Sequence, residues 1–263
     1  MSLLDAVSNS TSGLSAQSFA LNTISGNIAN SSTAGFKSTD THFADLLAET
    51  GPSPQQAGGV SLSTRSSLQL QGTIASTDVA TNLAISGDGY FIVKPNTGSA
   101  NAPSFGGETG YTRRGDFAPD ANGYLVNGAG YYLFAGPSAS TPVQVSTGSA
   151  SPTSLTVSPT GALTVSNADG STKSLGTMTL AQFDGAENLA PLDGGTYLAT
   201  DASGAPSYGF SGSSIATGSI EQSNANISDQ FAKMIETQQA YSANTKVLNA
   251  ANEMLQDALT MYV

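Results

Sequence analysis

Leu14-Ser15-Ala16-Gln17-Ser18-Phe19-Ala20-Leu21 sets two leucines seven residues apart. Val7 and Ile28 continue the interval on either side, with Leu3, Leu4, Phe19 and Ile24 alongside. An apolar residue at every seventh position, with companions between, forms one narrow stripe along an α-helix. The segment is rich in Ser, Thr and Asn, which are poor helix formers, and Gly13 and Gly26 each weaken it by up to ~1 kcal/mol relative to Ala. The far end of the chain repeats the pattern. Ile227, Met234, Tyr241, Leu248, Leu255 and Tyr262 recur at sevens, with Phe231 and Leu259 at the companion spacing. Two amphipathic helices therefore bracket everything else. A helix with so narrow a seam is marginal alone, so its burial must come from the opposite terminus or from other copies of the chain.

Inward from these seams the signals change. Between Phe36 and about Gln71 lies a Ser/Gly/Gln-rich connector with a Gly51-Pro52-Ser53-Pro54 breaker and a Gly58-Gly59 pair. From Thr73 to about Phe210 the period becomes two. Leu155 and Val157 alternate, Ser158-Pro159-Thr160-Gly161 turns the chain, and Leu163 and Val165 alternate on the way back, which is a hairpin signature. A second turn at Asn167-Ala168-Asp169-Gly170 precedes a Met178 to Phe183 run, and Ala84 to Val93 and Tyr124 to Phe134 read as further strands.

Composition narrows the function. Eight Lys+Arg against nineteen Asp+Glu give a net charge of -11, an unfavourable field for phosphate that argues against nucleic-acid binding. Charged residues make up 10% where roughly 25% is usual. With no Cys there are no disulfides and no thiolate chemistry. His42 is the sole imidazole, so every histidine-based metal site or triad would run through it, and a surface or interface role fits it better. No apolar run reaches the ~18 residues of a membrane span. Lys37 is the first basic side chain, so the N-terminus lacks the basic region of a secretory leader.

Other motifs read as turns. Gly87-Asp88-Gly89 and Gly128-Ala129-Gly130 are half of a dinucleotide fingerprint, with Ile92 and Leu133 where a third Gly belongs. Asp120-Ala121-Asn122-Gly123 falls short of a calcium loop, since Ala118 and Ala129 occupy its first and twelfth ligand positions. No catalytic, cofactor-binding or metal residues are assigned, and no cofactor is expected.

The quoted helix, followed by Ile28-Ala29-Asn30-Ser31-Ser32-Thr33-Ala34-Gly35-Phe36-Lys37, resembles the N-terminal signature of the bacterial flagellar axial proteins, the rod and hook subunits. The matching residues are Asn27, Ala29, Asn30, Thr33, Gly35, Phe36 and Lys37, with Gly35 expected to end the first helix in a left-handed cap. Leu83 to Val93, Tyr111-Thr112-Arg113-Arg114-Gly115-Asp116-Phe117 and Asp120 to Val126 also resemble the family, as do Glu221-Gln222-Ser223-Asn224 and Gln238 to Lys246. The Phe43-Ala44-Asp45-Leu46-Leu47 block is most similar to a hook protein, here one short enough to lack an outer domain, and the length is close to that of a distal rod protein.

The resemblance implies a structural subunit, not an enzyme, that polymerises helically into a hook or rod and transmits torque. It implies a homopolymer as partner, with neighbouring axial proteins, an assembly cap and the flagellar export apparatus, and a place in the hook or basal body reached without a cleaved signal peptide. No nucleic acid and no membrane insertion are expected. The fold class is α+β: long terminal helices packed as a coiled-coil-like pair, with an inserted, mainly antiparallel β domain. Residues 1–36 form the N-terminal helix of an inner domain, 37–72 an extended connector, 73–214 the β domain and 215–263 the C-terminal helix. The self-assembly seam comprises Val7, Leu14, Leu21, Ile24, Ile28, Ile227, Phe231, Met234, Tyr241, Leu248, Leu255 and Leu259. Between Gly51 and Gln71 Arg65 alone is charged, so a hook would have sliding contacts there. A competing class is a secreted adhesive β protein whose terminal helices close a dimer. Paired carboxylates are the only enzymatic chemistry the composition leaves, and no pair stands out.

Overall fold

The computed structural model describes residues 3–47, 57–99, 103–136, 141–145, 152–158, 161–167 and 172–261. The chain divides into two compact units. The first combines Met1–Ser31, Ser38–Ser67 and Ala225–Val263, and the second Ser32–Lys37 with Leu68–Asn224.

The first unit contains helix α1 (Leu3–Ala29), strands β1 (Thr39–Leu47) and β2 (Ala57–Ser66), and helix α2 (Ile227–Thr260). Asn226 caps α2, its side chain accepting from the Ser228 N–H at 2.9 Å, and Asp229 in the first turn complements the helix dipole. The two helices pack together. They run antiparallel, because Gly13 lies against Asn244 while Asn27 bonds Gln230.

Of the seam residues only Ile24 is buried in the described chain. On α1 the buried side chains are Ser10, Ala16, Ala20, Ile24 and Asn27, and Val7, Leu14, Leu21 and Ile28 are only partly covered. At 100° per residue the buried stripe is rotated roughly a quarter-turn from the heptad leucines. Small side chains let neighbouring elements approach closely, and the larger ones flank that contact.

The segment expected to be an extended connector is a hairpin over much of its length. β1 and β2 pair antiparallel from Thr39↔Ser66 to Asp45↔Val60, with an irregularity before Leu47↔Ala57. Ladder hydrogen bonds and alternating Thr, Phe, Leu and Val side chains outweigh the loop-like Ser/Gly composition. The Gly51-Pro52-Ser53-Pro54 breaker lies outside the described residues.

In the second unit the strands pair antiparallel. An eight-stranded sheet places Ala190–Leu192, Thr196–Leu198, Gly110–Thr112, Phe91–Pro95, Tyr131–Ala135, Leu125–Asn127 and Phe117–Pro119 side by side, and Thr141–Pro142 pairs with Tyr131–Ala135. Alternation along one strand feeds two cores. Phe91 and Val93 enter a cluster with Leu83, Ile85, Phe117 and Leu133, while Tyr90 and Ile92 enter another with Leu68, Tyr111, Phe134 and Tyr197. The run from Ala84 to Val93 is two strands, Leu83–Ser86 and Phe91–Pro95, broken where Gly87 and Gly89 adopt positive φ. The expected Leu155 hairpin is present, pairing Leu155↔Val165 and Val157↔Leu163, and a third strand, Thr172–Thr177, joins it. Pro159, Thr160 and residues 168–170 of the two turns lie outside the described residues.

Candidate assembly surface and buried ion cluster

On the first unit Asn27 is 2% exposed and makes three hydrogen bonds through its amide, using both of its N–H donors. Its Nδ2 donates to the Thr39 carbonyl at 2.8 Å and to Gln230 Oε1 at 3.0 Å, and its Oδ1 accepts from the Thr39 N–H at 3.0 Å. One side chain thus ties α1 to β1 and α2. Asn30 Nδ2 donates to the Gly26 carbonyl at 3.0 Å, closing a carbonyl at the end of α1. Ala29 is exposed and carries no such contact.

The α2 seam residues divide in two. Met234, Leu248 and Leu255 are half-buried on the side of Gln230, Thr237 and Ala251. Ile227, Phe231, Tyr241 and Leu259 are exposed, as are Ile235, Val247 and Met254, which the heptad reading missed. Val247 and Met254 are themselves seven apart and Met261 extends the row. Scattered apolar residues on a surface are ordinary, and a row of them along one helix is the kind of feature that marks interaction surfaces. His42 is exposed on β1 opposite Ser63.

On the second unit the motif residues converge on a buried charge cluster. Gly35 has a φ of 65° and donates its N–H to the Glu221 carbonyl at 2.7 Å. It is not the cap of α1, which ends at Ala29. A Cβ at Gly35 would stand 2.6 Å from the Arg114 nitrogen, so left-handed backbone and close approach both require glycine. The Thr33 carbonyl accepts from the Phe36 N–H at 3.3 Å, and the Phe36 carbonyl from the Asn224 N–H at 3.2 Å. These bonds deliver Lys37, whose side chain is 0% exposed, to Glu221, also 0% exposed, at 2.6 Å. Lys37 Nζ donates to the Leu70 carbonyl at 2.7 Å, and Glu221 Oε1 accepts from the Gly72 N–H at 2.9 Å.

Arg113 Nη1 approaches Glu221 Oε2 at 3.5 Å, and its guanidinium lies 5.3 Å from the Tyr90 ring centroid. Two buried cations thus share one carboxylate. Burial pulls the Lys37 ammonium below the usual lysine range, against the raising effect of Glu221, and Arg113 adds to the lowering. Gly115 explains the rest of its block: its carbonyl accepts from the Leu83 N–H, and a Cβ there would lie 1.6 Å from the Leu83 carbonyl oxygen. The remaining motifs are turns. Asp120 Oδ1 accepts from the Asn122 and Tyr124 N–H groups, and Asn127 Oδ1 from those of Ala129 and Tyr131.

These same segments match known families. Residues 8–37 match the flagella basal body rod protein model, 84–165 the D1 domain model of flagellar hook protein FlgE/F/G, and 216–261 the C-terminal model of flagellar basal body rod FlgEFG proteins. The flagellar basal-body rod protein FlgG of Buchnera aphidicola subsp. Acyrthosiphon pisum is 32% identical over 267 residues, 94% of this chain and 95% of the relative. The chain belongs to the flagellar rod and hook protein family. The rod protein FlgG of Bacillus subtilis is 29% identical over 92% of both chains. The hook protein FlgE of Brucella abortus is 43% identical over 133 residues, which are 51% of this chain and 31% of that one. As a rod and hook family member the chain is a structural subunit of the flagellar axis, in the basal body or hook. The N-terminal match ends on Lys37 and the C-terminal match contains Glu221, so the buried ion pair joins two family segments. Nothing in the local sequence around either residue announces that pairing, which joins positions 184 apart.

Proposed function

We propose that copies of the chain polymerise into the wall of the flagellar tube, with α1 and α2 as a coiled-coil-like inner domain and the seam residues packed between subunits. The observation that carries this reading is the set of exposed apolar side chains along α2, Phe231, Tyr241 and Leu259 among them. Burying such side chains against a neighbour contributes up to ~2 kcal/mol each. Export of the subunit through the flagellar apparatus without a cleaved leader, a cap at the growing end and neighbouring axial proteins complete the reading.

Two placements in the axis have separate support. Correspondence over nearly the whole length with FlgG rod proteins, together with the hydrogen-bonded β1–β2 hairpin, favours the rod. The higher identity over half the chain to FlgE favours a short hook protein. The seam is tested with Tyr241→Glu. Tyr241 is exposed in the single chain, so the monomer keeps its unfolding midpoint, whereas in the tube each copy would bury an unpaired carboxylate at a cost of several kcal/mol. Electron microscopy of concentrated protein should show tubes from the natural chain and none from the variant. Tubes of normal length from Tyr241→Glu would place this face in solvent.

A further inference from the structure

The chain passes from one unit to the other after Ser31, Lys37, Ser67 and Asn224. Within the second unit, the segments beside all of these crossings are bonded to one another. Residues 32–37 are tied to 221–224 by the Gly35 N–H on the Glu221 carbonyl and by the Asn224 N–H on the Phe36 carbonyl. Residues 68–72 are tied to both. The Leu70 carbonyl accepts from Lys37 Nζ at 2.7 Å and from Asn224 Nδ2 at 3.0 Å, and the Gly72 N–H donates to Glu221 Oε1 at 2.9 Å. The buried Lys37–Glu221 ion pair, at 2.6 Å, completes the set. A Cβ at Gly72 would stand 2.0 Å from the Gln222 carbonyl oxygen, so the approach of these segments also depends on a glycine.

These segments lead into every described element of the first unit. α1 ends at Ala29, the hairpin runs from Thr39 to Ser66, and α2 begins at Ile227. The helices have little drive to pair by themselves, because α1 buries mostly Ser, Ala and Asn side chains, which carry little apolar area. The Asn27–Gln230 bond that joins them links positions 203 apart. Closing so long a loop from an unfolded chain costs entropy. Once the second unit is folded, the segments that continue into α1 and α2 are already hydrogen-bonded to each other. Short tethers of that kind raise the effective concentration of one helix for the other to the order of millimolar.

We propose that the Lys37–Glu221 cluster is a conformational clamp that makes pairing of the two terminal helices conditional on a folded second unit. A chain whose second unit is unfolded then keeps α1 and α2 apart. Under the polymer reading such a chain presents no paired helices for assembly, but the clamp itself does not depend on that reading and is tested on the monomer.

Two measurements on the full chain, dilute enough to stay monomeric, test this. In a urea titration the helical circular dichroism should never outlast the amide cross-peaks of Phe91–Pro95, and helices that persist after those peaks are lost overturn the clamp. Native-state hydrogen exchange supplies the second test. Lys37→Met cuts the ties of Lys37 to Glu221 and Leu70 and leaves Glu221 the Arg113 guanidinium as countercharge. It should speed exchange of the α1 amides about ten- to hundredfold, the effect of one charge-assisted hydrogen bond. Leu163→Ala opens a cavity in the core of the second unit and touches none of the ties. It should speed exchange in Phe91–Pro95 and leave the α1 rates as in the natural chain. Asn224→Ala removes the half-buried tie to Leu70 without disturbing a charge, so it carries the test should Lys37→Met not fold. It should speed α1 exchange about two- to tenfold. Exchange of α1 that neither Lys37→Met nor Asn224→Ala moves, or that Leu163→Ala moves as much, makes the cluster an ordinary part of the second unit's core and overturns the proposal.

Discussion

Glu221 shows how much one residue decides. It is the sole carboxylate against Lys37 and Arg113 among the described residues, so Glu221→Gln would keep the shape and the Gly72 contact but leave two buried cations without that anion. Breaking a buried pair in this way costs about 3–5 kcal/mol. Urea unfolding of the variant should show that loss, and Lys37→Met added to Glu221→Gln should recover part of it, because a lone cation is worse buried than an apolar chain. A second residue-scale expectation concerns tyrosine. Burial pushes the Tyr90 hydroxyl up to about 12 and raises Tyr111 and Tyr197 above the ordinary value of 10.0. The unfolded chain therefore releases protons from pH 10 upward that the folded chain keeps, and stability falls as pH rises through that window. Tyr90 alone accounts for about 2 kcal/mol of loss by pH 12. Lys37 acts oppositely but below the ordinary lysine value of 10.5, since its lowered value adds stability as pH rises toward that point. Unfolding midpoints followed from pH 10.5 to 12 should fall less steeply in Tyr90→Phe, and equal slopes would show that Tyr90 is not the titrating group.

Between residue and molecule stand the helices and hairpins, and here the sequence was readable in unequal measure. Period-seven apolar spacing placed α1 and α2, and period-two spacing around a Gly turn placed the Leu155 hairpin, because both patterns are local. Apart from Ile24, the buried stripe of α1 was not readable: Ser10, Ala16, Ala20 and Asn27 carry little hydrophobic signal, and only their neighbours on α2 and the hairpin make them interior. β1 and β2 were missed because Ser and Gly composition speaks for loops when the ladder partner lies 27 residues away, as Thr39 and Ser66 do. The ion cluster shows the same boundary, since Lys37, Arg113 and Glu221 each sit in a family motif while their meeting is a product of topology. Gly26 offers a clean test of the helix argument. A Cβ there would meet nothing within 4 Å, so Gly26→Ala should stabilise α1 by about 0.5–1 kcal/mol. Hydrogen exchange on the dilute monomer should show α1 amides exchanging faster than those of Phe91–Pro95, and slower in Gly26→Ala than in the natural chain. Protection of α1 equal to that of the β strands in a verified monomer would count against a helix that depends on assembly.

For the molecule as a whole, the question is how a wall of these subunits carries torque. A rod must resist bending and a hook must permit it, so the element that governs whether neighbours slide is decisive. The sequence suggested a connector with few fixed contacts, but the observed hairpin is nine residues against ten, paired along most of its length and packed on α1. Such a ribbon is stiffer than a Ser/Gly linker, whose ends wander as a random coil. It also carries Phe43 and Val60, exposed apolar side chains suited to a neighbouring subunit. Replacing residues 39–66 with a Gly/Ser linker should therefore leave the second unit folded and, where tubes still form, shorten their persistence length as measured from electron micrographs. Phe43→Asp should act in the same direction with the hairpin retained, because it places a charge in the contact and leaves the ladder hydrogen bonds alone. If Phe43→Asp tubes bend no more than natural ones while the linker variant does, stiffness comes from the ribbon itself. If both remain as straight as the natural tube, the hairpin does not lock neighbouring subunits, and the rod placement loses its structural support to the hook.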